Sequence, residues 1–193
     1  HPDIVELSAA SPAGALQQER AAHQAGTPFN WGYDPWHWFA PEGSYATAGN
    51  QDGGARVAEL RGAVGALHEL GLRVVLDVVF NHTFAAGQEP SSVLDKIVPG
   101  YYYRRELDGT IATSPAGPAV ATETAMASRI VVDACVHWAR HYRVDGFRFD
   151  LMGHHSVEVM RDVRAALDAL TLDGDGVDGP AVTLHGEGWE FGE

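Results

Sequence analysis

The sequence has 193 residues, 45% of them hydrophobic, enough to bury a core of ordinary domain size. Its 13 Lys and Arg face 26 Asp and Glu, a formal charge of −13, which disfavours nucleic acid or an anionic membrane surface as partner and suits an uncharged ligand. The single cysteine, Cys135, excludes an internal disulfide and a cysteine-based metal site, and no run of about 18 apolar residues is present to cross a membrane.

Residues 1–28, rich in Ala, Gln and Pro, and residues 29–50, which mix aromatics with Gly, Pro and Asn, read as long loops of the kind that carry function. From Gly54 to Leu70, Val57, Leu60, Val64, Leu67 and Leu70 form the stripe of an amphipathic helix, with Gly71 placed to end it in the C′ position. Leu72–Phe80 (LRVVLDVVF) is a β-branched, nearly continuous apolar run, the pattern of a strand covered on both faces in a parallel sheet. A loop from Asn81 to about Val120 leads into a helix over about 122–142, with Ile130, Ala134 and Trp138 at i, i+4 and i+8. In the next strand, Val144–Leu151 (VDGFRFDL), Val144, Gly146, Arg148 and Asp150 fall on one side, and Phe147, Phe149 and Leu151 on the other. A helix over about 156–170 carries Val159, Val163, Ala166, Leu167 and Leu170 on one face; an Asp/Gly loop then leads to a strand over 181–187 (AVTLHGE).

Repeated βα units with short apolar strands predict a parallel α/β fold, either a doubly wound sheet or a (β/α)8 barrel. Polar residues gather where each strand ends: Asp77, Asn81 and His82 on the first, Arg148 and Asp150 on the second, Glu187 on the third. Barrels place their chemistry at that rim, so an incomplete (β/α)8 TIM-type barrel of about three parallel strands is the expected fold. A nucleotide-binding doubly wound protein would need a Gly-rich turn between strand and helix, and neither GxGxxG nor a P-loop occurs.

Each strand also carries an acid in apolar surroundings. An unpaired carboxylate there is strongly unfavourable, so Asp77, Asp150 and Glu187 must be paired or functional. For Asp77 alone, a structural pair with Arg148 is the plain reading; for all three together, a site is favoured. Two carboxyl groups across a pocket, one ionised and one able to hold a proton, are what glycoside hydrolysis needs. Arg148, two residues before Asp150, can keep that carboxylate ionised. Glu187 lies between Gly186 and Gly188, a setting with room for a leaving sugar, and Trp189 offers a stacking face.

DVVFNH (Asp77–His82), GFRFDLMGHH (Gly146–His155) and HGEGWEFGE (His185–Glu193) resemble, in order, three signature regions of the α-amylase superfamily, glycoside hydrolase family 13. FNWGYDPWHWFAPEGSYAT (Phe29–Thr47) is similar to the YNWGYDP motif of its pullulanase and limit dextrinase members, which cut α-1,6 bonds. The resemblance covers the chain from about Phe29 onward and implies a retaining α-1,6-glucosidase of pullulan, starch or glycogen-type α-glucans. Asp150 is then the nucleophile, Glu187 the acid/base and Arg148 the partner of the nucleophile. Asp77 belongs to the first region, His82 bonds the sugar in the −1 subsite, Tyr33 stacks beneath that sugar, Met152 and His154 follow the nucleophile into the cleft, and Trp189 lines the +1 side. No cofactor is required; some members bind calcium near the position of Asn81, which leaves a structural ion as an option. Other outcomes of the same resemblance are α-1,4 hydrolysis, glucan transfer or a non-catalytic amylase-like remnant.

The chain departs from the family pattern at Ala119 and Thr124, where Asn and His are usual, and at Glu190, where Asn or Asp is usual. The fourth region, with the third catalytic acid, does not occur. With His1 in place of Met at the start and no terminating pattern after Glu193, the chain is expected to be the central part of a catalytic barrel truncated at both ends, with 1–53 as the loop region carrying NWGYDP and 54–193 as the βα units. Trp36, Trp38 and Tyr101–Tyr103 are expected as packing or loop anchors, and His68, His137 and His141 as surface or satisfied histidines.

Overall fold

The structure, a computed structural model, describes residues 32–189. These fall into two compact units, one of residues 32–33 and 40–66 and one of residues 34–39 and 67–189.

In the first unit a single 3-10 turn, Gly43–Tyr45, precedes helix α1, Gly53–Glu69, whose last three residues belong to the second unit. Glu42 caps the turn, its Oε1 accepting from Ser44 N at 3.1 Å. Gly43 lies so close to the chain opposite that a Cβ there would stand 2.2 Å from Gln51 O. Glu59 on α1 organises the loop before it by accepting from Thr47 Oγ1 (2.6 Å), Thr47 N (2.8 Å) and Asn50 Nδ2 (2.8 Å). The Thr47 hydroxyl and amide, then Asn50, hold the Glu59 carboxyl below its ordinary value. The apolar stripe of α1 is covered less than its pattern predicts: Val64 is buried, Val57 and Leu60 are half-buried, and Leu67 and Leu70 are exposed. An amphipathic stripe marks a face that can be buried and says nothing of what covers it.

At the start of the second unit α1 ends as expected. Gly71, at φ +74°, donates to His68 O (2.9 Å), and Leu72 N reaches Leu67 O (3.0 Å), the paired bonds of a Schellman motif. Three strands follow, β1 (Val75–Val78), β2 (Gly146–Phe149) and β3 (Thr183–Gly186), all parallel and adjacent in chain order. Val75, Gly146 and Thr183 share one level of the sheet, and Asp77, Arg148 and His185 another. Each lies inside its predicted run and is shorter. Asp145 ties the sheet at its start: its Oδ2 accepts from Val74 N and lies 2.7 Å from His68 Nε2, its N donates to Val74 O, and its carbonyl accepts from Thr183 N.

β1 is not covered on both faces, contrary to the expectation from its apolar run. Val75 is 44% exposed and Leu76 half-buried, and burial becomes complete only at Val78, Val79 and Phe80. Among the described residues β1 is also an edge strand, paired on one side only, whereas β2 is flanked by both neighbours and buries Phe147 and Phe149 fully. Alternation along β2 therefore turns Arg148 and Asp150 away from that core.

Among the described residues the unit also holds four α-helices: α2 (Leu94–Ile97), α3 (Ala125–Tyr142), α4 (Val157–Asp168) and α5 (Leu172–Asp175). Val131, Ala134, Cys135, Trp138 and Ala139 form the buried face of α3; α4 packs against α3 and buries Val159, Val163 and Leu167. Ser156 caps α4, its Oγ accepting from Val159 N at 3.3 Å. Cys135 is fully buried, and burial pushes its thiol well up from its ordinary value.

The segment predicted as a plain loop, 81–120, is more ordered than that. It contains α2 and pairs antiparallel through His82–Ala119, Tyr103–Val120, Arg105–Ile111 and Thr113–Pro118. Its own apolar cluster joins Ala86, Leu94, Tyr102, Tyr103 and Val120 to Ala127 of α3, with Trp38 packed against it. The buried Asp95 carboxylate braces the bend by accepting from Gly87 N (2.8 Å) and Gly100 N (3.0 Å). Trp38 is the anchor the sequence predicts: its Nε1 donates to Val79 O (2.6 Å), and its carbonyl accepts from Trp138 Nε1 (2.7 Å). Trp36 stacks on Phe84 at 5.2 Å.

His155, just past β2, is buried against the edge of Phe149, with Nδ1 3.2 Å from Thr122 Oγ1. Burial first, then the charge of Arg104, lowers it from 6.5 to about 4. The folded state thus holds this proton more weakly than the unfolded one, so the contribution to stability is full above about pH 6.5 and is lost as pH falls toward about 4, amounting to roughly 3 kcal/mol at most. Urea unfolding of the intact protein at pH 7 and pH 4.5 is expected to show this loss, and His155→Gln should remove most of it. An unchanged pH dependence in the variant would contradict the assignment.

Candidate active site

The three strands end at one level, and one guanidinium connects what they carry. Arg148 Nη1 donates to Asp77 Oδ1 at 2.7 Å and to Asp150 Oδ1 at 3.1 Å, while its Nη2 donates to Glu187 Oε1. One cation thus joins an acid from β1, one from the end of β2 and one from the end of β3. Asp150, with a side chain 13% exposed, is the most enclosed of the three; Glu187 is 28% exposed and Asp77 42%.

Asp150 is fixed by its backbone and by a second donor. Its N–H reaches Val78 O (2.9 Å), and Asn81 Nδ2 donates both to its carbonyl (3.1 Å) and to Oδ2 (3.0 Å). Each carboxylate oxygen of Asp150 therefore accepts a hydrogen bond, Oδ1 from Arg148 and Oδ2 from Asn81. Glu187 is held likewise: its N–H donates to Phe149 O (3.2 Å), and its Oε2 accepts from Leu151 N (3.0 Å). That bond depends on Leu151 adopting φ +44°, ψ +51°, a left-handed conformation that costs a residue with a Cβ roughly 1–2 kcal/mol.

The remaining predicted residues differ in burial and in partners. His82 is buried and meets Asp150 through Asn81, whose Oδ1 lies 2.6 Å from His82 Nδ1; its Nε2 is 3.9 Å from Asp34 Oδ1. Gly117 seals the other edge, since a Cβ there would stand 2.8 Å from His82 Cδ2. Met152 and His154 lie on the 3-10 turn Met152–His154 that follows Leu151. His154 is buried and offers its carbonyl to Arg104 Nη2 (2.7 Å). Trp189 is 63% exposed. Tyr33 is half-buried and belongs to the first unit.

Gly186 has a role the sequence reading assigned differently. A Cβ there would stand 2.6 Å from Phe149 O and 2.8 Å from both Cβ and Sδ of Met152. The glycine makes room for the turn after β2, where the sequence reading saw room for a sugar. Of the departures from the family pattern, Ala119 is buried and takes part in the antiparallel pairing, Thr124 Oγ1 donates to Ala121 O (2.9 Å), and Glu190 lies outside the described residues. Phe29 to Trp31 of the aromatic motif also lie outside them.

Asn81 turns its oxygen toward the His82 ring and its amide toward Asp150. Among the described residues no group of three or more His, Cys, Asp or Glu side chains is placed to share an ion. Sequence reasoning missed the Leu151 amide, because leucine gives no sign of a positive φ, and Arg104, whose Nε and Nη2 grip both oxygens of Glu123 at 2.9–3.2 Å. Burial raises the Glu123 carboxyl, but the Arg104 bonds outweigh it and leave the group below its ordinary value.

No protein-family model matches the chain. It is 48% identical over 166 residues to a chloroplastic pullulanase of Arabidopsis thaliana, a match that covers 86% of this chain and 17% of that protein. Among solved structures, a type I pullulanase from Bacillus subtilis complexed with maltose matches with a TM-score of 0.75 at 38% identity, over 86% of this chain and 22% of that one. A pullulanase from an Anoxybacillus species complexed with maltotriose matches at 0.74 and 41%, over 84% and 22%. The three parallel strands and their helices are thus part of a (β/α) barrel. Over most of its own length the chain is therefore pullulanase-like in sequence and in fold, and it spans about a fifth of the length of these relatives.

Proposed function

We propose that this chain supplies the nucleophile and the acid/base of a retaining glycoside hydrolase that cleaves α-1,6-glucosidic branch links in pullulan, starch or glycogen-type α-glucans. The observation that carries the proposal is the bridging of Asp150 and Glu187 by Arg148, which holds two carboxyl groups from neighbouring strands against one cation. An uncharged polymer suits a chain of net charge −13, and the maltose and maltotriose in the solved pullulanases are sugars of the same class.

Asp150 attacks the anomeric carbon while Glu187 gives a proton to the departing glycosidic oxygen, leaving a glycosyl ester on Asp150. Glu187 then takes a proton from the water that breaks this ester, so the anomeric configuration is inverted twice and retained. The donors on both oxygens of Asp150 suit a group that must be ionised at the outset. Glu187 has the opposite need: to act as acid it must carry a proton and turn that oxygen to the substrate, so substrate binding has to replace its contact with Arg148. His82 is proposed as the −1 subsite contact, with Met152 and His154 beside it, and Trp189 as a stacking face for a sugar; for Tyr33, in the other unit, its motif implies a stacking role.

In the intact protein, Asp150→Asn is expected to lower turnover on pullulan on the order of a thousandfold or more with binding largely kept, and residual activity within about tenfold of the parent would sink the assignment. Glu187→Gln should cost polymer hydrolysis about 10²–10⁴-fold while sparing formation of the glycosyl ester from a glycosyl fluoride, whose leaving group needs no proton. Equal losses on both substrates would exclude the acid role. On pullulan the product should be a trisaccharide released as the α-anomer, with linear amylose nearly inert; NMR detection of an initial β-anomer, or rapid amylose cleavage, would overturn the reaction proposed.

A further inference from the structure

The turn after β2 carries Asp150 at its start and the Leu151 amide that meets Glu187, yet its backbone is locally unfavourable at Leu151. Such a conformation persists only where the surroundings hold it from more than one side. On the upstream side the hold is Asp150 N to Val78 O. On the downstream side it comes from the 100–124 segment. Arg104 Nη2 donates to His154 O at 2.7 Å, and Thr122 Oγ1 lies 3.2 Å from His155 Nδ1.

Arg104 is itself fixed at both ends. Its N–H reaches Ala119 O (3.0 Å) and its carbonyl accepts from Ala112 N (2.8 Å), so its backbone belongs to the antiparallel pairing. Its guanidinium is aimed by Glu123 through Nε and Nη2, and the same Nη2 makes the bond to His154. The segment touches the other flank of Asp150 as well, because Val120 N donates to the carbonyl of Asn81, whose side chain bonds Asp150. A planar fork can grip a carboxylate and a carbonyl at once; an ammonium on a flexible stem cannot fix both in one geometry.

We infer that Arg104 is a positioning residue: aimed by Glu123, it holds the 151–155 turn through the His154 carbonyl and so sets the placement of Asp150 and of the Leu151 amide. It touches neither acid, and the inference rests on the reading of Asp150 as nucleophile.

The test uses the intact protein and an activated fluoroglucosyl fluoride that forms a slowly hydrolysed glycosyl ester, with the labelled residue found by peptide mass spectrometry. The parent should be labelled on Asp150. In Arg104→Gln the saturating labelling rate is expected to fall about 10- to 100-fold, the scale of an ångström-sized misplacement, with the half-saturating concentration changed less than about threefold. Arg104→Lys should recover part of the loss. Glu123→Gln, which leaves Arg104 in place without its aim, should lower the rate in the same direction, and it serves as the test if Arg104→Gln does not fold. Asp150 labelled in both variants at the parental rate would overturn the inference while leaving the nucleophile assignment intact. A fall in affinity alone, with the saturating rate unchanged, would overturn it too. A parent labelled at another residue would overturn the reading of the site and this inference with it.

Discussion

Three acids at the ends of three parallel strands can stand side by side only if something offsets their repulsion, and Arg148 is placed to do so. Its direction is not set by the acids. Phe147 and Phe149 are fully buried on either side of it, and strand alternation then leaves Arg148 and Asp150 on the opposite face. The parallel register brings Asp77 level with Arg148, and the bonds of Asp150 N to Val78 O and Glu187 N to Phe149 O bring the other two acids up beside them. A slip of one residue in β2 would bury the guanidinium and expose the phenyl rings. Core packing and site assembly are therefore one constraint at this point in the chain.

Much of this was legible before any coordinates. Alternation in Val144–Leu151 gave the two sides of β2 correctly, and the β-branched run before Phe80 marked a strand of a parallel sheet. Gly71 marked a helix end because glycine has one strong local reason to be there. What the residues could not reveal was cover and curvature. The stripe of α1 and the apolar run of β1 read as buried from composition, but burial depends on partners that local sequence does not name. The left-handed Leu151 was invisible for a related reason, since its conformation is imposed by tertiary bonds that outweigh its own preference. Gly186 was singled out correctly, though for a sugar when the contact is Met152.

The segment between β1 and α3 shows how a connection that reads as loop becomes part of the machinery. Its pairing is irregular and its helix is one turn long, so neither period of apolar residues appears. Order comes instead from backbone pairs, from the buried Asp95 bracing two glycine amides, and from tyrosines packed beneath Trp38. Built this way, the segment reaches Asn81 at one end and His154 at the other, bracketing the turn that bears Asp150. Long βα connections that carry no regular structure can still act as rigid spacers when their polar backbone atoms are satisfied internally.

The lone thiol of α3 has a practical consequence. Cys135 has no solvent exposure and is unbridged, and its burial keeps it protonated where an exposed thiol would begin to ionise. A thiol-specific reagent can therefore meet it only when the packing around α3 opens. The chain carries a built-in clock for local breathing, whose ticks are chemical modification events at a single atom, and whose rate under native conditions would separate motions of this helical layer from unfolding of the whole.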